Sequence, residues 1–119
     1  MKIVNLDEFR KLPEMTCFRK YRPAYCDDIQ FKGETWEHDF IAMSFDMPDN
    51  NGSDQLFDRL DEMERTGCSY PVEVDGWGRD GLFEKDQLFM IYEKADLEAI
   101  HKLIGEAIEV APIEPSEAG

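Results

Sequence analysis

The sequence predicts a single α+β domain, a mostly antiparallel sheet with about three helices packed on it. Three observations lead there. The chain has 119 residues, 42% of them hydrophobic and eight of them Phe. That is enough for one core, burying roughly 65% of the unfolded surface, and too little for two. Stretches of period two and stretches of period 3.6 both occur, separated by Pro and Gly punctuation. Read in order, after a short opening strand, they give α-β-β-β-α-β-β-α, for which an antiparallel sheet with helices on one face is the economical solution. Residues 1–110 form the domain. The Pro- and Glu-rich acidic tail, 111–119, is expected to be disordered.

Lys2-Ile3-Val4 reads as the opening strand. Asn5 fits an N-cap with Glu8 three positions on, as in a capping box, and Leu6, Phe9 and Leu12 share one face. Pro13 ends that helix. Thr16 to Tyr21 is a strand stopped by Pro23. Ile29-Gln30-Phe31-Lys32 alternates apolar and polar, and Gly33-Glu34 reads as a turn. A strand then begins at Thr35-Trp36-Glu37-His38 and continues through Phe45, with Ile41, Met43 and Phe45 on one face.

Asp54 to Thr66 is the clearest helix, with a stripe of Leu56, Phe57, Leu60 and Met63. Ser53 or Asp54 caps its start and Gly67 closes it. Tyr70 to Val74 reads as an edge strand because of Pro71. Residues 75–81 form a glycine-punctuated loop, and Gln87 to Tyr92 has the apolar run of a central strand. Asp96 caps a last helix that turns Leu97, Ile100, Leu103, Ile104, Ala107 and Ile108 inward. Leu56, Leu60, Phe89, Ile91, Ile100 and Ile104 are expected to be buried together.

Charge is the strongest compositional signal. Thirteen Lys and Arg stand against 27 Asp and Glu, a net charge of −14. Residues 1–32 hold seven basic and five acidic side chains, and the remaining 87 hold six and 22. Such a surface repels phosphates, so direct nucleic-acid binding is not expected and a protein with a basic surface is the natural partner. No stretch approaches the ~20 apolar residues that span a bilayer, and the opening lacks a secretory apolar run. A cytoplasmic location follows as an expectation. Oligomeric state is left open. The three Cys are odd in number and show no CxxC spacing, so reduced and mostly buried thiols are expected rather than a disulfide set or a zinc site.

Candidate chemistry is thin. His38-Asp39, His101 and the Cys would need to meet within about 3 Å to act as a nucleophile–base pair. Glu34, Glu37 and Asp39 could form a carboxylate cluster or merely a solvated strand edge. Gly76-Trp77-Gly78 lacks the strand–loop–helix context and Lys-Ser/Thr of a phosphate loop. No catalytic residue, cofactor or metal is therefore assigned. The stretch Cys17 to Tyr25 interleaves cations with aromatics, a pattern shared by single-strand binders and by cations paired with internal acids. Partner binding is assigned to Asp54, Asp58, Asp61 and Glu62, which project opposite Leu56, Leu60 and Met63, with Trp77 as an apolar anchor.

Lys2 to Pro13, Lys32-Gly33-Glu34-Thr35 and Arg79 to Phe83 followed by Gln87-Leu88-Phe89 resemble small acidic proteins of phages and prophages, which carry no catalytic motif. By size and charge the chain also resembles anti-CRISPR proteins. That resemblance implies a non-enzymatic inhibitor occupying the positively charged nucleic-acid channel of a host defence complex, and it transfers no residues. A globule of this length is roughly 35 Å across. A duplex of that length bears roughly 20 phosphates, which 14 net negative charges approach. Solubility explains the same charge, leaving a protein-interaction module without mimicry as the alternative.

Overall fold

A computed structural model describes residues 1–36, 39–81 and 84–112. Its elements run β1 (Lys2–Asn5), α1 (Leu6–Arg10), β2 (Cys17–Arg22), β3 (Tyr25–Cys26), β4 (Gln30–Thr35), β5 (Phe40–Ser44), α2 (Ser53–Thr66), β6 (Gly78–Arg79), β7 (Leu88–Ile91) and α3 (Lys94–Val110). Among the described residues the strands form one antiparallel sheet in the order β1-β7-β2-β4-β5-β6, with β3 paired to β2. The α+β class and the antiparallel sheet are as predicted.

The core lies on one face of that sheet under the shortest helix. Asn5 and Glu8 complete the capping box, with the Glu8 amide donating to Asn5 Oδ1 at 2.9 Å. Five residues cannot nucleate a stable helix alone, so packing holds α1 in place. Phe9 stacks on Phe89 with ring centroids 3.9 Å apart, and meets Phe18 and Phe40 edge-on at 4.8 and 5.0 Å. Val4, Ala42 and Ile91 complete the cluster, with Leu6 and Leu12 against it. All four of these Phe are fully buried.

Lys32 lies on this same face and is only 2% exposed. The strand alternation pointed it outward. In fact its ammonium donates to the Leu12 carbonyl at 2.9 Å and the Thr35 hydroxyl at 2.6 Å, 5.6 Å from the Phe9 ring centre. It thus ties the end of α1 to β4, and burial lowers its pKa. Gly33 is no turn but lies within β4. A side chain there would meet Ile41 and the Trp77 ring at 3.1–3.2 Å, so the missing Cβ lets Trp77 pack on the strand. The reversal between β4 and β5 falls later, where the Trp36 amide donates to the Asp39 carbonyl.

Other boundaries differ in detail. Gly52, not Ser53 or Asp54, occupies the N-cap of α2 and offers no side chain, while Gly67 closes the helix in the left-handed region at φ 75°. Glu93 is the N-cap of α3, with Asp96 as the reciprocal member of its capping box. Tyr70 to Val74 is not a strand; a single bridge joins Val72 to Pro48. The strand predicted from Thr35 through Phe45 is shorter, since Thr35 belongs to β4 and the following strand is Phe40–Ser44; Glu37, His38 and most of the tail fall outside the described residues.

The largest departure concerns α2 and α3, neither of which contains a buried residue. Phe89 and Ile91 are in the core as expected. Leu56 and Leu60 are half-buried, and Ile100 and Ile104 are exposed. The physical reason is that α1, with Leu6 and Leu12, already covers the Phe cluster, so neither longer helix is needed over it. A 119-residue globule has a radius of gyration near ~13.5 Å, against 16.9 Å here, with extents of 50 × 34 × 27 Å.

Candidate functional site: an acidic helix face and a charged trough

The outward face of α2 carries the first set of candidate residues. Asp54, Asp58 and Asp61 are exposed and fall in one line at i, i+4 and i+7, opposite Leu56 and Met63. Neighbours in that line are about 5–6 Å apart at Cβ. Asp61 pairs with Arg65 at 3.0 Å, both mostly exposed, a contact of small worth in water. Glu62 is different. It is half-buried on the flank of the helix and accepts the Tyr70 hydroxyl at 2.6 Å, a bond that raises the tyrosine's pKa. Arg59 donates to the Asp49 carbonyl and lies 4.6 Å over the Tyr70 ring, pinning the 47–50 and 68–72 segments to the helix. The structure thus groups three of the four predicted acids and gives Glu62 a packing role.

Trp77 is 38% exposed, one side of its ring against Gly33. The segment behind it is fixed by Asp39. That carboxylate accepts Arg79 Nε at 2.8 Å, the Phe40 amide at 2.7 Å and the Gly81 amide at 2.8 Å. Burial pushes its pKa up, but these three donors outweigh burial and hold it below the usual carboxylate value. Asp39 is therefore a structural hub rather than a member of an open carboxylate cluster.

The clasp around Asp39 presents Asp80 to the core-bearing face of the sheet. Along β2, Phe18 belongs to the core, and Lys20 and Arg22 follow it on the same face by the period of two. Lys20 Nζ binds Asp80 Oδ1 at 2.7 Å, and Arg22 binds Glu84 at 2.9 Å. Arg19 Nε donates to the Asp27 carbonyl at 2.7 Å. The cations of the 17–25 stretch are thus engaged internally. Beside them lies a hollow of about 800 Å³ lined by Lys20, Arg22, Tyr25, Asp27, Asp80 and Glu84 among others. A second hollow of about 260 Å³, lined by Gln30, Ser44, Glu73 and Arg79, shares Asp80 as its wall. Sequence reading missed this trough. Lys20 and Arg22 were visible as cations, but nothing in the linear order matched them to acids some 60 positions away.

No protein-family model, curated protein or solved structure matches this chain. The site must be read from its own chemistry. Among the described residues no group of three or more His, Cys, Asp and Glu is arranged to hold a metal ion. Cys17 is buried and its thiol is pushed up to about 11 by burial, the opposite of an activated nucleophile. Cys68 is half-buried and Cys26 exposed, so only one of the three thiols lies in the interior. His101 is exposed on α3, and His38 lies outside the described residues. No described helix is long and apolar enough to cross a membrane.

One further surface stands out. On α3, Leu103 is 64% exposed, Ile104 54% and Ile108 69%. With Leu97 and Ile100 they make an apolar stripe along a helix roughly 25 Å long. Exposed patches of this kind mark interaction surfaces.

Proposed function

We propose that the protein works by binding rather than by chemistry, as an acidic inhibitor of phage type that seats the outer face of α2 in a basic, nucleic-acid-binding groove of a host defence complex. The observation that carries this reading is the exposed line of Asp54, Asp58 and Asp61 in a chain of net charge −14. A line of carboxylates at regular spacing on a rigid helix offers a cationic groove what a phosphate backbone offers it. The helix is free to do so because its inner face rests on the 47–50 and 68–72 segments and not in the core.

The test is affinity capture from host lysate with the full chain, then binding by a triple variant, Asp54→Lys, Asp58→Lys, Asp61→Lys. Each exposed pair is worth only ~0.2–1 kcal/mol, so single reversals have small effects and the triple abolishes binding with the fold intact. Affinity falls steeply with salt, since screening acts over about 8 Å at physiological ionic strength. Binding that persists in half-molar salt and in the triple variant contradicts this reading.

The α3 stripe favours a second reading, an interaction module without mimicry. On that reading Leu103→Ser with Ile108→Ser abolishes capture, salt has little effect, and the acidity serves solubility.

A further inference from the structure

Asp80 stands out among the described residues. Its side chain is only 7% exposed. Oδ1 holds Lys20, while Oδ2 is buried without a hydrogen-bond partner among the described residues. A buried carboxylate oxygen without a donor is costly and uncommon in a native fold. Asp80 also forms the wall between two hollows. The terminal torsion of an aspartate is broad and roughly two-fold, so a half-turn exchanges the two oxygens. A hydrogen-bond donor belongs there.

The surroundings narrow the class of donor. Asp27, Asp80 and Glu84 outnumber Lys20 and Arg22 in the same lining, so an anion is disfavoured. A compact divalent ion on Asp80 would meet the full repulsion of the Lys20 ammonium held 2.7 Å from the same carboxylate, whereas a guanidinium spreads a single charge over a plane and is weakly hydrated. Tyr25, 61% exposed, places an aromatic ring at the mouth of the hollow. Carboxylates with an aromatic face match a guanidinium, which is planar, offers five donors and stacks on rings. We propose that this trough is the receptor for an arginine side chain presented by the protein's partner. This deepens the reading above and rests on its basic partner, but it uses a surface separate from α2.

The test is an NMR titration of the full-length chain with N-acetyl-arginine amide, with the lysine and citrulline analogues as controls. The arginine amide should give saturable shifts at Lys20, Tyr25, Asp80 and Gln87, with a dissociation constant on the order of millimolar. The lysine analogue should bind several-fold more weakly, and citrulline, isosteric but uncharged, should not bind. Asp80→Asn should weaken arginine binding roughly tenfold or more. If that variant loses its fold, Tyr25→Leu, a change at an exposed position, carries the assignment with a loss of roughly threefold. Equal shifts from arginine and citrulline, shifts confined to Asp54 and Asp58, or indifference to Tyr25→Leu would overturn the proposal. A silent trough in a protein whose capture still depends on the α2 acids sinks the arginine site alone. Arginine binding in the trough with capture indifferent to α2 sinks the α2 seating alone.

Discussion

The shortest and the longest helices of this protein stand at opposite ends of its packing. α1 has five residues and places Phe9 at the centre of a cluster of four fully buried Phe, held by a capping box at one end and Lys32 at the other. α3 has 17 residues and a well-formed apolar stripe, yet none of its residues is buried. Length and amphipathicity therefore do not rank helices by their contribution to a fold. What ranks them is access to the sheet face that carries the Phe cluster, and α1 reaches it first because β1 delivers it directly over β7. The stripe on α3, left without that role, faces outward.

This contrast makes its largest prediction at Phe9. Phe9→Ala removes a ring from the centre of the core and should cost about 3–5 kcal/mol in urea unfolding, as large-to-small core changes do. Ile104→Ala, equally apolar in sequence but 54% exposed, should change stability by less than about 0.5 kcal/mol. Comparable losses from the two would place α3 in the core beside α1. Leu60→Ala sharpens it, because α2 lies between the extremes. With Leu60 half-buried, the loss should be about 1 kcal/mol, roughly half that of burying a whole leucine.

The same contrast shows how much of the molecule was legible in its sequence. The capping box at Asn5 and Glu8, the apolar run of β7 and the left-handed Gly67 were readable, because each is a local pattern with a local cause. Lys32 was not. A lysine in an alternating strand reads as solvent-facing, and only the carbonyl of Leu12 and the hydroxyl of Thr35, brought close by the fold, make its burial tolerable. Ile100 and Ile104 misled for the converse reason, since a 3.6-residue period reports an apolar face and says nothing of what covers it. Of the site, the acids of α2 could be placed on one face. The use of Glu62 by Tyr70 depends on how the chain turns after Gly67, and the meeting of Lys20 with Asp80 on a contact at long range.

Lys32 also offers the smallest and most specific effect. Its pKa is lowered by burial in the folded protein, so in alkaline solution the native chain releases this proton before the unfolded chain does. The contribution of this group to stability therefore rises with pH, from its folded value towards ~10.4, where an unperturbed lysine titrates. Lys32→Met keeps the volume and removes the proton. In paired urea titrations across alkaline pH, the stability of wild type relative to Lys32→Met should increase with pH. A flat difference would mean that Lys32 reaches water and does not clamp α1.

Native-state hydrogen exchange tests whether the fold rests on α1 and the sheet while α2 and α3 remain outside it. Amides of β2, β4, β7 and α1 should exchange only by global unfolding, and their apparent free energies should fall together under denaturant. Amides of α3 should exchange at much lower free energy, through local opening that responds little to denaturant, and those of α2 should lie between. Exchange from α3 that tracks global unfolding as closely as exchange from β7 would show instead that the long helix belongs to the core.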